Sequence, residues 1–190
     1  MKKQLAVALL AFVSAAAMAD NFVGPAVGLD TGVTKFKAKD EVTTNGKNMS
    51  DTNLSGSYGF AYGDTPLVGM VEGKVKLGSS KAFVFDDEGG DIKQKNGYSL
   101  GYQQGYRVTS DFMPYVGVHY QHAKFKDTED GETDRANGFG VSVGAKYQVM
   151  PNVELNAEYR NTHLRTKKDD FGDRVRLRGN TFSVGSAYRF

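Results

Sequence analysis

The sequence predicts an all-β protein: a closed, eight-stranded antiparallel up-and-down transmembrane β-barrel, preceded by a cleavable signal peptide. Three observations carry that expectation. Eight segments of roughly ten residues alternate with a period of two. The connections between them are alternately long and short, and one face of all eight segments carries no charge.

The opening stretch, "MKKQLAVALLAFVSAAAMAD", stands apart from this pattern. Lys2 and Lys3 form a positive head, Leu5 to Ala17 an apolar run, and Ala17-Met18-Ala19 a small-x-small cleavage site. Residues 1–19 are therefore expected to be a secretory signal, leaving 20–190 as one domain. The run is too short for a spanning helix, which needs about 20 apolar residues. Without Lys2 and Lys3 the chain holds 22 basic and 22 acidic residues, so no basic footprint points to nucleic acid. Having no cysteine, it has no disulfide frame and no thiolate nucleophile or metal ligand.

The strands follow in order. In the first, Val23, Pro25, Val27, Leu29 and Thr31 form one row against Gly24, Ala26, Gly28 and Asp30. The second sets Leu54, Gly56, Tyr58, Phe60 and Tyr62 against Ser55, Ser57, Gly59 and Ala61. In the third, Leu67, Gly69, Val71, Gly73 and Val75 oppose Val68, Met70, Glu72 and Lys74. In the fourth, Tyr98, Leu100, Tyr102, Gln104 and Tyr106 oppose Ser99, Gly101, Gln103 and Gly105. The fifth pits Pro114, Val116, Val118, Tyr120 and His122 against Tyr115, Gly117, His119 and Gln121. The sixth has Phe139, Val141, Val143, Ala145 and Tyr147 against Gly140, Ser142, Gly144 and Lys146. The seventh has Val153, Leu155, Ala157, Tyr159 and Asn161 against Glu154, Asn156, Glu158 and Arg160. The last places Phe182, Val184, Ser186, Tyr188 and Phe190 opposite Thr181, Ser183, Gly185, Ala187 and Arg189.

The first-named rows contain 40 positions and no Asp, Glu, Lys or Arg, in a chain that is 24% charged. The second-named rows contain eight charged residues and 17 Gly, Ala or Ser. Long polar segments are expected at 37–53, 78–97, 124–137 and 164–178, and short turns at 63–66, 109–113 and 150–152.

A soluble barrel would turn the apolar row inward. Its exterior would then be mostly Gly, Ala and Ser, whereas soluble exteriors carry mixed charge. Its interior would hold more Tyr and Phe than eight strands can enclose. Facing the apolar row to lipid removes both conflicts. Roughly 9–11 tilted residues span a bilayer, and only a closed barrel leaves no unpaired edge there. The aromatics sort accordingly. Tyr98, Tyr120, Phe139, Tyr159 and Phe182 lie toward the long connections; Tyr62, Tyr106, Tyr147, Tyr188 and Phe190 lie toward the short turns. Two girdles around an aliphatic band mark a membrane barrel.

With strand count, alternating connections and a terminal strand ending in Tyr188 and Phe190, the chain resembles the small eight-stranded outer-membrane barrel family of Gram-negative bacteria. That family includes the transmembrane domain of outer membrane protein A and the adhesin-like outer membrane protein X. The resemblance implies residence in the outer membrane, in contact with its lipid and lipopolysaccharide. It also implies that Phe182, Val184, Tyr188 and Phe190 form the signal read by the outer-membrane assembly machinery. The peptidoglycan-binding domain of outer membrane protein A is expected to be absent, the chain ending at Phe190.

The inward charges are Asp30, Glu72, Lys74, Lys76, Arg107, Lys146, Glu154, Glu158, Arg160 and Arg189. Counting from the short turns puts Asp30, Glu72, Lys74, Glu158 and Arg160 near mid-height, with Arg107, Lys146, Glu154 and Arg189 lower. Confined charges need partners, so a salt-bridged plug is expected. A charge-lined pathway for small solutes is the alternative. The third long segment, "KFKDTEDGETDRAN", is acidic, and the fourth, "LRTKKDDFGDRVRLRGN", is basic. Either they pair with each other, or the fourth holds lipopolysaccharide phosphates, or both are simply solvated. In the second, Phe83, Val84, Phe85 and Ile92 flank an acidic turn that lacks EF-hand spacing, and the flanks are candidates to extend a hairpin past the membrane.

Histidines occur only at 119, 122 and 163, with no His-x-Ser of the kind lipid A deacylases use and no nucleophile elbow. No catalytic residue, cofactor or metal site is expected. The expected role is structural or adhesin-like, exercised by a monomer through four surface loops toward a host or surface protein. A small-solute porin is the first alternative and a lipid A-modifying enzyme the second.

Overall fold

The computed structural model describes residues 21–39, 43–83, 92–127, 133–166 and 176–190. The signal segment 1–19, the acidic turn with Val84 and Phe85, and the tips at 128–132 and 167–175 lie outside the described residues. Among the described residues there are nine strands and no helix. They are β1 (Gly24–Lys39), β2 (Thr43–Ala61), β3 (Leu67–Leu77), β4 (Ser80–Phe83), β5 (Ile92–Tyr106), β6 (Phe112–Asp127), β7 (Thr133–Met150), β8 (Val153–Thr166) and β9 (Arg176–Arg189). The short β4 resumes the course of β3 after Gly78, whose φ of 78° sits in the region glycine enters without strain. The barrel therefore has eight staves.

Every pairing is antiparallel, and the sheet closes on itself. The order runs β3-β2-β1-β9-β8-β7-β6-β5, and β3 then pairs with β5. The closing seam between the first and last strands runs from Ala26 opposite Arg189 to Lys39 opposite Arg176. The amide of Phe190 donates to the Pro25 carbonyl at 3.0 Å, and that of Arg189 to the Asn152 carbonyl at 2.8 Å. The terminal aromatic is thus tied to β1, and no edge is left along the seam.

Each predicted strand register holds. Val116, Val118, Val141 and Val143 are 62, 58, 59 and 55% exposed, while Glu154 and Glu158 are 0 and 2% exposed. Aliphatic side chains face outward and carboxylates are enclosed, as a lipid surround requires. The rims carry the aromatics, with Tyr120 and Phe139 edge-to-face at 5.3 Å and Tyr188 and Phe190 at 5.0 Å.

The long connections differ from expectation. Most of 37–53 and 124–137, and both ends of 164–178, are strand, because β1, β2, β6, β7, β8 and β9 all run past the outer girdle. With 14 to 19 residues, these strands exceed the roughly 9–11 needed to cross a bilayer. The hairpin expected around Phe83 and Ile92 forms, with those two residues paired.

Candidate functional site

The candidate site is the lumen, filled in layers from the end bearing the termini and short turns. The lowest layer is apolar: Phe22, Val68, Met70 and Met113 are all buried. Phe22 reaches this position from a left-handed backbone (φ 71°), a costly state for an aromatic residue. It is held there from several sides. Asn21 donates to the Ser110 carbonyl at 2.8 Å and to Asp111 at 3.0 Å. A Cβ on Gly59 would stand 1.9 Å from the Phe22 carbonyl oxygen, so only glycine lets the segment cross the mouth.

Above it, Glu154 joins two cations. Its Oε1 lies 3.3 Å from the Lys146 ammonium, and its Oε2 accepts from the Arg189 guanidinium at 2.8 and 3.2 Å. Arg189 also donates to the Gly24 carbonyl at 2.6 Å, coupling the plug to the closing seam.

The middle layer is larger. The Lys74 ammonium stands 3.4 Å from Asp30, 3.3 Å from Glu72 and 3.4 Å from Glu158. Arg160 donates to Glu158 Oε1 at 2.7 and 3.1 Å and to the Ser99 hydroxyl at 3.2 Å. The Tyr115 hydroxyl lies 3.1 Å from Glu158 Oε2 and 2.9 Å from Asn156 Oδ1, while Asn156 donates to Asp30 at 3.1 Å. Gln103 donates to Glu72 at 3.1 Å. His119 packs against Gly140 and lies 3.3 Å from the Thr162 hydroxyl.

Higher still, Lys76 is paired with Asp51 and donates to Gln94 at 3.2 Å. Asp51 also accepts from Thr34 and Ser80, both at 3.1 Å. A polar cavity of about 60 Å³ separates this layer from the middle one, room for a few waters. A second apolar layer caps the column: Phe36, Met49, Ala123, Phe125, Ala136, Leu164 and Leu177, with the Phe36 and Phe125 rings edge-to-face at 6.0 Å.

Of the residues the sequence singled out, Asp30, Glu72, Lys74, Glu158 and Arg160 meet in the middle layer, and Lys146, Glu154 and Arg189 in the lower one. Arg107 is elsewhere: it follows the end of β5 and donates to the Thr65 carbonyl at 3.4 Å, on the turn rim. Phe182, Val184, Tyr188 and Phe190 all face outward. Sequence reasoning missed Asp51 and both apolar stoppers. A period-two continuation through 34–36 and 49–53 was the available signal for Asp51, Phe36 and Met49. Among the described residues no cluster of His, Asp and Glu could hold a metal ion.

A family model described as outer membrane protein beta-barrel domain matches residues 5–190. No curated protein sequence matches the chain. Among solved structures, the chain is similar to the outer membrane protein OprG of Pseudomonas aeruginosa, at 16% identity and a TM-score of 0.55, over 92% of this chain and 99% of that one. It is also similar to Neisserial surface protein A, at 20% identity and a TM-score of 0.54, over 87 and 99% of the two chains. The attachment invasion locus protein of Yersinia pestis matches at 20% identity and a TM-score of 0.51, over 87 and 98%.

Proposed function

The chain belongs to the outer membrane protein beta-barrel domain family and is an integral protein of the Gram-negative outer membrane, and from that premise we propose that it acts as a sealed barrel. It works through its outward surface and its loops, as a structural and surface-interaction protein. Passage of solutes and catalysis are not its roles. The observation that supports this most is the lumen column, in which two ion-paired layers and the Lys76–Asp51 pair lie between apolar stoppers.

A conducting pathway would have to part Glu158 from Lys74 and Arg160, leaving buried charges unpaired, at roughly 3–5 kcal/mol. It would also have to displace Phe22 at one mouth and the Phe36–Phe125 pair at the other. The row Phe182, Val184, Tyr188 and Phe190 serves assembly, presented outward on the strand that completes the cylinder. A host or surface protein would meet the barrel at the loops, which connect strands already projecting beyond the girdle.

Planar-bilayer recording of the purified, folded protein tests the seal. The expected record is flat, with rare brief events; sustained ohmic steps of uniform size would overturn it. Adhesion of cells carrying wild-type or loop-deleted protein to matrix proteins tests the surface role, which predicts a loss on deletion.

A further inference from the structure

The lipid-facing wall is not uniform. Its eight outward rows hold 40 positions, and in these Ala occurs only at 145 and 157, Thr only at 31 and Ser only at 186. Closure of the sheet gathers all four into one place. Ala145, Ala157, Val184 and Thr31 stand side by side across β7, β8, β9 and β1, and Ser186 lies one step lower, between Leu155 and Leu29. Together they line an open, mainly apolar cleft of about 600 Å³ on the outside of the barrel.

The depth of the two hydroxyls sets them apart. Thr31 is one outward position inside Phe182 of the outer girdle, and Ser186 one inside Tyr188 of the inner girdle. Both therefore face hydrocarbon. Both are exposed on the wall, and among the described residues neither hydroxyl has a hydrogen-bond partner. Elsewhere on the wall polar groups satisfy one another: the Tyr62 and Tyr102 hydroxyls lie 2.6 Å apart, and Tyr102 donates to Gln104 at 2.6 Å. Acyl chains offer Thr31 and Ser186 nothing, and an unpaired hydroxyl in apolar surroundings is costly. The cleft calls for an occupant that carries polar groups at this depth.

We propose that the occupant is a second copy of this chain, two barrels pairing in the membrane about a twofold axis along the bilayer normal, with β8, β9 and β1 face to face. A hydroxyl both donates and accepts, so Thr31 and Ser186 of one copy are satisfied by those of the other. Strands of a membrane barrel tilt by roughly 35–45°, so the rows of two facing walls cross, and small side chains at the crossing let the backbones approach. Leu29 and Leu155, exposed beside the cleft, supply the ridges that enter it. No charge lies on either wall to oppose the contact. The pair goes beyond the sealed-barrel reading, takes the place of the monomer expected from the sequence, and stands whether or not the lumen conducts.

The absence of native cysteine allows a direct test. Ala157→Cys, in the cleft, and Leu100→Cys, 59% exposed on the opposite stave β5, are each folded into lipid vesicles and treated with a short bis-maleimide. Ala157→Cys should crosslink at least about tenfold faster than Leu100→Cys, as a held contact does over chance collision. Equal rates would overturn the proposal. Native mass spectrometry of wild type should show a dimer, and filling the cleft with Ala145→Phe and Ala157→Phe together should raise its dissociation constant at least about tenfold. A wild type that is monomeric throughout, a filled variant that pairs as well as wild type, or a monomer that keeps a lipid which the filled variant loses would each overturn it. Gel mobility with and without boiling verifies folding. If the filled variant does not fold, the near-isosteric pair Thr31→Val and Ser186→Ala reads the same claim: pairing should weaken at least about threefold, and unchanged pairing would overturn it.

Discussion

The membrane-embedded section and the section beyond the outer girdle are made by the same strands, yet their faces are exchanged. Within the bilayer, Val116, Val141 and Val184 point out, while Glu72, Lys74 and Glu158 point in. A few residues further along, Asn48, Arg165 and Arg178 point out, while Met49, Phe125 and Leu164 point in. The backbone period never changes; the surroundings do. Lipid excludes charge from the wall and forces it into the lumen, whereas water accepts charge on the wall and leaves the lumen to hydrocarbon. One continuous sheet is thus a membrane barrel at one end and a soluble barrel at the other.

That contrast can be broken at named positions. The largest effect is expected from Glu158→Ala, which strands Lys74 and Arg160 without their shared partner. A loss of about 4 kcal/mol is expected in urea titrations of the vesicle-embedded protein, followed by circular dichroism. A loss below one quarter of that would mean that the ion pairs are solvated and the plug is wet. Next is Phe125→Ala, which empties part of the upper apolar layer. About 3 kcal/mol should be lost if the extension has a packed core, and almost none if it is an open rim.

Placing arginine on each wall sharpens the comparison directly. Val143→Arg sets a charge against acyl chains and should cost about 2–3 kcal/mol. Asn48→Arg, on the same outward face but above the girdle, should change stability by no more than about 0.5 kcal/mol. If both substitutions cost the same, the exchange of solvent along the wall is not real.

How the sequence could be read depended on this same division. Inside the bilayer the outward rows contain no charge, so alternation stood out and each register was legible from Val23 to Phe190. Beyond the girdle the outward residues are Lys35, Asn48, Arg165 and Arg178, interleaved with Phe36, Met49, Leu164 and Leu177. The alternation persists there, but polar residues are common to solvated strands and loops alike, and these stretches read as loops. Asp51, placed in such a stretch, consequently escaped notice as the partner of Lys76. Arg107 shows the opposite error. Its parity pointed inward, but β5 ends one residue before it, at Tyr106, and parity has no meaning past a strand end.

By itself, the sequence determined the period, the strand count and which face meets lipid, because each depends only on local spacing and on the cost of charge in hydrocarbon. Which charges share a layer was decided by the tertiary structure. Asp30 and Glu158 reach one ammonium from strands far apart in sequence, and the pairing depends on closure and stagger of the cylinder, which no local pattern encodes. The stoppers were decided there too: Phe22 and Phe125 become plugs only once eight staves close around them.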